Sequence, residues 1–202
     1  MWPLQTLALD DTNNVQTGRL PAALIPDPAG FDALWSLHPT EFHEIHIHGR
    51  RVHTPRWQQA YGADYHYTGN TNRALPLTPS MEALLAWAAE GIEPRLNGLL
   101  FNWYDGLRGH YIGAHRDSNT NRIDGSPIVT ISFGEERVFR MRPFRGKGFV
   151  DIPAVHGGLI VVPWNTNRAW THEVPAPKGS RGRRISVTIR AFYSETTRPK
   201  RA

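Results

Sequence analysis

The chain has 202 residues, of which 40% are hydrophobic and 20% charged, with a formal net charge of +5 and no cysteine. This length suits one domain with a sizeable core and is short for two, and the lack of cysteine excludes disulfides and thiolate metal sites, so any metal must be held by His, Asp or Glu. With 18 glycines and 16 prolines the composition indicates many turns, which favours a mainly β protein over a helical bundle.

The opening segment MWPLQTLALDD does not resemble a leader sequence. It lacks a basic N-terminal region and reaches Asp10 and Asp11 before any apolar run is long enough for a signal core. No later stretch approaches the length of a membrane span. We therefore expect an intracellular protein with no membrane partner, located in the cytoplasm or, in a eukaryote, in the nucleus. We also expect a monomer.

One α-helix is well marked in a first half that is otherwise rich in turns, histidine and aromatic residues. The segment TPSMEALLAWAAEG predicts a helix with Thr78 as N-cap, Pro79 at the first helical position and Gly91 just past its end. We expect this helix to have a structural role.

Short β runs recur between turns from Leu99 onward. In chain order they are LLFNWY, PIVTISF, RVFRMRP, GLIVVPW and RISVTIRAFY. Such a series over about a hundred residues predicts a sandwich or jelly roll. A jelly roll can place metal ligands near its mouth, on strand ends and adjoining loops.

The segment GAHRDSNTNR has two incompatible interpretations. His115, Arg116 and Asp117 spell the HRD of a protein-kinase catalytic loop, but that loop needs an asparagine five residues after the aspartate, where this chain has Arg122, and no DFG follows. A His and an Asp two positions apart are also two of the three ligands of a non-haem iron centre. The metal interpretation therefore stands, and a third ligand must come from a distant part of the chain.

Two downstream histidines compete for the position of third ligand. His156 lies in a Gly-rich turn that enters a strand, where we expect a turn residue. His172 follows the run GLIVVPW and lies 55 residues past Asp117, far enough for several strands to return the chain to the mouth of a jelly roll. We favour His172.

The β run RISVTIR carries arginines at both ends. Strand alternation places Arg184, Ser186, Thr188 and Arg190 on one face and the three β-branched apolar residues on the other. An inward arginine beside a metal presents a planar fork suited to a carboxylate. An edge strand with solvated arginines is the alternative.

Taken together, these motifs resemble the Fe(II)/2-oxoglutarate dioxygenases of the AlkB type. The resemblance rests on His115-x-Asp117, His172, Arg184-x-Ser186-x-Thr188-x-Arg190 and Asn102-x-Tyr104. The segments PRWQQAYG, YHYTG, GSPIVTISFG and HGGLIVVPWNTNRAWTHEVP are similar to the branch that repairs alkylated DNA. The resemblance covers roughly residues 45–193.

The fold implied by the resemblance is mainly β (α+β), a double-stranded β-helix or jelly roll with an N-terminal helix and nucleotide-recognition hairpins. It implies a single domain over residues 1–202. Residues 1–95 would form an N-terminal extension, a substrate-recognition lid and a supporting helix. Residues 96–193 would form the catalytic core, and residues 194–202 a basic tail.

The resemblance also implies the reaction. His115, Asp117 and His172 would bind Fe(II) and act as the catalytic residues, leaving positions open for 2-oxoglutarate and oxygen. The implied activity is oxidative dealkylation of N-alkylated bases in nucleic acid, a DNA-repair reaction that releases succinate, CO2 and an aldehyde. In this interpretation Arg184 pairs with the far carboxylate of 2-oxoglutarate, helped by Asn102, Tyr104 and Arg190.

Substrate residues are implied in the first half of the chain. Tyr67 matches the aromatic position that stacks on a base extruded from the nucleic acid, with the ring of His115 opposite, and Tyr65 and Thr68 match neighbouring pocket positions. The segment IHIHGRRVHTPR is similar to the hairpin that wedges into a duplex.

This hairpin would place His48 at its tip and Arg56 beside the gap left by the base. Arg50, Arg51 and the basic residues near the C-terminus would contact phosphates without reading the sequence. That C-terminal group is made up of Lys178, Arg181, Arg183, Arg184, Arg198, Lys200 and Arg201. A solvated basic tail would explain the group equally well.

Two positions depart from the pattern of the repair enzymes. Asn119 stands where they carry an acidic residue that contacts the damaged base, and an amide does not offset a cationic base as a carboxylate does. His48 replaces a larger apolar wedge, which favours DNA single strands as the substrate. An oxygenase for RNA or a small molecule and a catalytically silent nucleic-acid binding module therefore stay open as alternatives. The run HEIHIH, with His43, Glu44, His46 and His48, is compatible with a second metal site or with a polar hairpin face.

Overall fold

The computed structural model describes residues 4–47, 50–67, 70–176, 178–179 and 182–194. The described chain is mainly β, as the recurrent β runs predict. Its strands are β1 (Gln5–Ala8), β2 (Asn14–Arg19), β3 (Glu44–Ile47), β4 (Arg50–His53), β5 (Trp57–Tyr61), β6 (Tyr65–Tyr67), β7 (Asn70–Asn72), β8 (Gly98–Asp105), β9 (Ile112–His115), β10 (Ile128–Gly134), β11 (Arg137–Pro143), β12 (Val150–Ala154), β13 (Gly158–Val162), β14 (Trp170–Val174) and β15 (Arg183–Arg190). The α-helices are α1 (Pro28–Trp35), α2 (Pro79–Gly91) and α3 (Trp164–Ala169).

Two antiparallel sheets form the body of the fold. The larger sheet has the order β1-β2-β13-β10-β15-β8-β5, and the smaller has the order β12-β11-β14-β9. Two separate hairpins, β3–β4 and β6–β7, lie between β2 and β8 in the chain. This arrangement agrees with the predicted jelly roll, and all five of the β runs recognised in the sequence are strands of these sheets.

The larger sheet carries apolar side chains on both of its faces, and each set packs against a different part of the protein. On the outer face Trp103, Phe133 and Ile185 pack against Leu34 of α1 and Met81 of α2. On the inner face a second set packs against side chains of the smaller sheet. That inner core contains Tyr104, Ile128, Phe139, Met141, Ile160, Trp170 and Val174.

Helix α2 begins where its sequence predicts and ends one residue later. Thr78 is its N-cap and Pro79 its first residue, but Gly91, predicted just past the end, is the last helical residue. The hydrogen-bond ladder continues to the next residue, because the Ile92 N–H donates to the carbonyl of Ala88. Within the described ranges no helix has the length and apolar character needed to cross a membrane.

Strand β15 lies in the middle of the larger sheet, between β10 and β8. Its apolar residues Ile185, Val187 and Ile189 belong to the outer core, and its polar residues face the space between the sheets. The alternative of an edge strand with solvated arginines is therefore wrong. Both Arg184 and Arg190 are buried, at 0% and 4% exposure.

Candidate metal centre and adjoining cavities

The three predicted metal ligands meet at the open end of the smaller sheet. His115 ends β9, Asp117 lies in the loop that follows, and His172 lies within β14, where it pairs with His115 across the two strands. The Nε2 atoms of His115 and His172 lie 3.5 and 3.6 Å from Oδ1 of Asp117. One ligand atom from each residue falls within 4.8 Å of the other two, so the group could hold a metal ion.

Each imidazole presents Nε2 to this centre. Nδ1 of His115 lies 2.8 Å from the carbonyl oxygen of Gly113, so Nδ1 carries the proton and Nε2 keeps its lone pair for a metal. The ring of His172 stacks on Phe139, with ring centres 5.3 Å apart. Burial, together with the neighbouring His115, lowers the pKa of His172 to about 3, which keeps this imidazole neutral.

The Asp117 carboxylate is buried and oriented by Arg190. Nε and Nη2 of Arg190 donate to Oδ2 of Asp117 at 2.7 and 2.5 Å. Burial by itself would raise the pKa of Asp117, but the Arg190 guanidinium and the two imidazoles hold it well below its usual range. The carboxylate is therefore ionised, with Oδ1 directed at the histidines.

Asn167 of α3 supports the same aspartate through its backbone. Its Oδ1 accepts from the N–H of Asp117 at 3.1 Å, and its Nδ2 donates to the carbonyl of Asp117 at 3.1 Å. The reasoning from sequence missed this residue. It lies inside the segment PWNTNRAW that carries the family resemblance, but no spacing rule singles it out.

An inner cavity of about 500 Å³ opens beside the three ligands, between the two sheets. The predicted cosubstrate residues Asn102, Tyr104 and Arg190 line it, as do Ser186 and Thr188 from the polar face of β15. The structure thus brings the predicted metal ligands and three of the four predicted cosubstrate residues to one cavity.

Arg184, the fourth predicted cosubstrate residue, lies just beyond the wall of the inner cavity. Its guanidinium is 5.0 Å from the centre of the Tyr104 ring and donates to the hydroxyl of Ser132 at 2.9 Å. Its Nε and Nη1 have no hydrogen-bond partner, although both are buried. Burial lowers the pKa of Arg184 to about 10, so the group is still a cation at neutral pH. Unpaired buried donors of this kind fit a carboxylate ligand.

Arg56 is 7% exposed and lines the inner cavity together with Tyr65 and His115. Its position beside the gap left by an extruded base stays a prediction. Its Nε donates to Oδ1 of Asn102 at 2.7 Å, and its Nη2 donates to Oε1 of Gln58 at 3.2 Å. Arg56 precedes β5, whose pairing with β8 brings it next to Asn102.

The predicted substrate residues of the two hairpins are described only in part. Tyr65 lines the inner cavity, its ring 4.7 Å from the guanidinium carbon of Arg190, and burial raises its pKa to about 12. Tyr67 ends β6, but its side chain lies outside the described part of the structure, as do His48 and Thr68 altogether. Strands β3 and β4, which lie before and after His48, pair with each other as antiparallel strands.

An outer cavity of about 970 Å³ lies on the other side of His115. The predicted substrate residue Asn119 lines it, together with Ser118, Asn165 and Arg168. His115 and Asp117 border both cavities. The two cavities therefore meet at the metal centre, with Arg56 and Arg190 on the inner side and Asn119, Asn165 and Arg168 on the outer side.

The basic group near the C-terminus is not one surface. Arg184 is fully buried at the inner cavity, and Arg183 forms an ion pair with Asp32 of α1 at 2.6 Å. Arg181 and residues 195–202 lie outside the described ranges. His156, which competed with His172, is a turn residue as predicted, and its Nδ1 accepts from the N–H of Gly134 at 2.9 Å.

Comparison with known proteins gives consistent matches. The family profile described as 2OG-Fe(II) oxygenase superfamily matches residues 35–190. The chain is 32% identical to human DNA oxidative demethylase ALKBH2 over 158 residues, which are 72% of this chain and 60% of that protein. It is 30% identical to rat alpha-ketoglutarate-dependent dioxygenase alkB homolog 3 over 152 residues, 70% of this chain and 51% of that protein. The chain thus spans about half to three-fifths of the length of these relatives.

The fold is also similar to a solved structure of OsALKBH1. The TM-score is 0.61 and the sequence identity 12%, and the match covers 94% of this chain and all of that chain. At this identity the likeness concerns the fold alone, and it supports the arrangement of two facing antiparallel sheets.

Proposed function

The chain belongs to the 2OG-Fe(II) oxygenase superfamily, and on that basis we propose that it is a dioxygenase that removes N-alkyl groups from nucleic-acid bases. One observation carries the proposal: His115, Asp117 and His172 converge within 4.8 Å beside a cavity, and the buried Arg190 on its wall and Arg184 just beyond it have unpaired donors. This donor set fits Fe(II), and the unpaired donors fit a dicarboxylate such as 2-oxoglutarate.

The proposed reaction balances without a protein nucleophile. Bound Fe(II) supplies oxygen activation: O2 oxidises 2-oxoglutarate to succinate and CO2, one oxygen atom enters the succinate, and the other replaces a hydrogen on the alkyl carbon as hydroxyl. The N–C bond then breaks with its electron pair going to the base nitrogen, the carbon leaves as an aldehyde, and the hydroxyl proton passes to that nitrogen in a neutral base or to solvent in a cationic one.

The chain's own residues would hold and orient the reactants. His115, His172 and Oδ1 of Asp117 would hold the metal. Arg184 would pair with one carboxylate of 2-oxoglutarate, because its unpaired donors have no other role in the described structure. Asn102 and Tyr104 would contact the same molecule from the wall of the inner cavity.

For the substrate we propose an extruded base between Tyr67 and the ring of His115, with Tyr65, Thr68 and Arg56 around it. The names of the relatives, DNA oxidative demethylase among them, support a DNA substrate. We propose single strands as the better substrate because His48, the predicted tip residue, is polar and smaller than the apolar wedge expected for duplex invasion. Such a substrate implies an intracellular, cytoplasmic or nuclear, location.

We further propose that the chain acts as one monomeric domain. The larger apolar core supports this, because it contains residues from Leu20 near one end of the chain to Ala191 near the other. Sedimentation of the purified protein would test the monomer, with a dimer as the contradicting result.

The experiment that tests the function is turnover with Fe(II), 2-oxoglutarate and ascorbate on single- and double-stranded oligonucleotides that carry alkylated bases. Mass spectrometry follows the lesion and succinate, with His172→Ala as the control. Lesion loss that depends on 2-oxoglutarate and disappears in the variant supports the proposal. Succinate formation with every lesion intact contradicts it and directs the search to RNA or small molecules, and binding without any succinate indicates a silent binding module.

A further inference from the structure

Asn119 is hydrogen-bonded to a buried arginine that has no carboxylate partner. Arg122 is 1% exposed; its Nη1 donates to Oδ1 of Asn119 at 3.2 Å and its Nη2 to the carbonyl of Ser126 at 2.7 Å. Its guanidinium also lies 4.9 Å from the centre of the Trp164 ring. Burial lowers the pKa of Arg122 to about 10, so it is charged at neutral pH.

This contact determines which end of the Asn119 amide faces the outer cavity. An arginine side chain only donates hydrogen bonds, so the amide must turn its oxygen toward Arg122. The Nδ2 group then remains as the free end, and Asn119 is an exposed residue on the wall of the outer cavity beside His115. The wall next to His115 therefore offers a hydrogen-bond donor, whereas a carboxylate there would be an acceptor.

The net charge around the metal centre also disfavours a cationic base. Asp117 is the one buried carboxylate in the described part of the chain, and Arg190 already pairs with it. Three further arginines of the site, Arg56, Arg122 and Arg184, are buried without a carboxylate contact. A divalent metal and a dicarboxylate cosubstrate would cancel each other, which leaves an excess of positive charge. Such a site disfavours a cationic ligand.

We propose that this chain selects neutral N-alkylated bases that carry a carbonyl oxygen next to the alkylated nitrogen. In 1-methylguanine, 3-methylthymine and 3-methyluracil this oxygen accepts a hydrogen bond, which matches Nδ2 of Asn119. The cationic bases 1-methyladenine and 3-methylcytosine carry an amino donor at that place, so they would meet a donor and a positive field. The inference deepens the proposed dealkylation and rests on it for the position of the base.

The test compares four single-stranded oligonucleotides that differ in one base: 1-methylguanine, 3-methylthymine, 1-methyladenine and 3-methylcytosine. We would measure kcat/KM for each with Fe(II) and 2-oxoglutarate. Separately, fluorescence anisotropy would give the affinities with Mn(II) in place of Fe(II), so that binding is measured without turnover. The protein variants are Asn119→Asp and, as a charge-matched control in the same cavity, Asn165→Asp.

We expect the unaltered protein to favour the neutral bases in both measurements. Asn119→Asp, in which Arg122 would face a carboxylate, should lower the neutral-to-cationic ratio by about tenfold, the size of one hydrogen bond to a charged group. Asn165→Asp should leave the ratio within about twofold, because Asn165 is an exposed residue with no hydrogen bond to Arg122 in the described structure, and a solvated surface charge has a weak effect.

Three results would overturn the inference: the unaltered protein favours the cationic bases, Asn119→Asp leaves the ratio unchanged, or Asn165→Asp shifts it equally. Failure of the proposed function would look different, because no lesion would be lost from any oligonucleotide. In that case the selectivity would be judged from the affinities measured with Mn(II). Equal affinities for all four oligonucleotides would count against the inferred preference for neutral bases.

Discussion

Arg190 donates two hydrogen bonds to a single oxygen of Asp117, Oδ2, and thereby leaves Oδ1 for the two histidines. The relationship joins strand β15 to the loop after β9, so the position of one metal ligand depends on the centre of the larger sheet. The sequence suggests Arg190 as an accessory to the cosubstrate, and its unpaired Nη1 is compatible with that. In the structure it is also a positioning residue for the metal site.

Arg190→Met should weaken metal binding and destabilise the fold. The change leaves Asp117 buried without its cation, which typically costs about 3–5 kcal/mol of unfolding free energy, and loss of such an orienting contact reduces metal affinity about 10–100-fold. Mn(II) titration and urea denaturation measure the two effects. Arg142→Met, which breaks the partly exposed pair with Glu173, is the control and should cost under about 1 kcal/mol. Equal losses in both variants would contradict a special role for Arg190.

Arg184→Met should lower the affinity for 2-oxoglutarate without lowering the stability of the fold. The buried guanidinium has two unpaired donors, so an apolar side chain of similar length should leave the unfolding free energy unchanged or raise it by about 1–3 kcal/mol. Affinity for 2-oxoglutarate, measured by calorimetry with Mn(II), should fall at least about 100-fold, because a buried charged pair is lost.

Arg137→Met is the matched control for Arg184. Arg137 is also buried and its Nη1 is unpaired, but its Nη2 donates to the carbonyls of His110 and Pro175, so its removal should destabilise the protein and spare cosubstrate affinity. If Arg184→Met kept full affinity for 2-oxoglutarate, the assignment of its unpaired donors to a carboxylate would be wrong.

Asn167→Ala should loosen the metal-binding loop. The change removes both hydrogen bonds to the Asp117 backbone and leaves that buried N–H unpaired, at a cost of about 1–3 kcal/mol. Metal affinity should fall about tenfold, as is usual for groups that orient ligands. Asn165→Ala, an exposed position on the same helix, should change neither Mn(II) affinity nor the melting temperature.

His110 lies outside the metal site, and its protonation should make the stability of the fold depend on pH. Burial lowers its pKa, and its Nδ1 accepts from the N–H of Asp105 at 3.1 Å, a bond that a proton on Nδ1 would break. Asp105, Arg108 and His38 also act on it electrostatically, but burial is the largest cause. Because the folded pKa is below the unfolded value of 6.5, the unfolded state takes up the proton first as the pH falls. Stability is therefore full above about pH 6.5 and declines below it.

His110→Asn tests this dependence, because Oδ1 of asparagine can accept the same hydrogen bond and does not titrate. Urea denaturation at about pH 7.5 and about pH 5 should show a smaller loss of stability in the variant than in the unaltered protein. An identical loss in both proteins would assign the pH dependence to other groups.

Prediction from sequence was most successful where local chemistry determines structure. The alternation in RISVTIR correctly separates Arg184 and Arg190 from the apolar face of the strand, and Pro79 correctly marks the start of α2. It did not indicate that Arg56, predicted beside the gap left by an extruded base, is hydrogen-bonded to Asn102. That contact joins residues 46 positions apart, and it exists only because β5 pairs with β8.

The sequence by itself determined the mainly β class, the two-residue spacing of His115 and Asp117, and the polar face of β15, because strand alternation and ligand chemistry act over a few residues. Tertiary structure alone decided that Arg190 holds Asp117, that Asn167 supports it, and that Arg122 turns the amide of Asn119. The first two contacts join residues 73 and 50 positions apart, and the third depends on the burial of Arg122 under Trp164. Such contacts follow from how the sheets and loops pack, which no local pattern records.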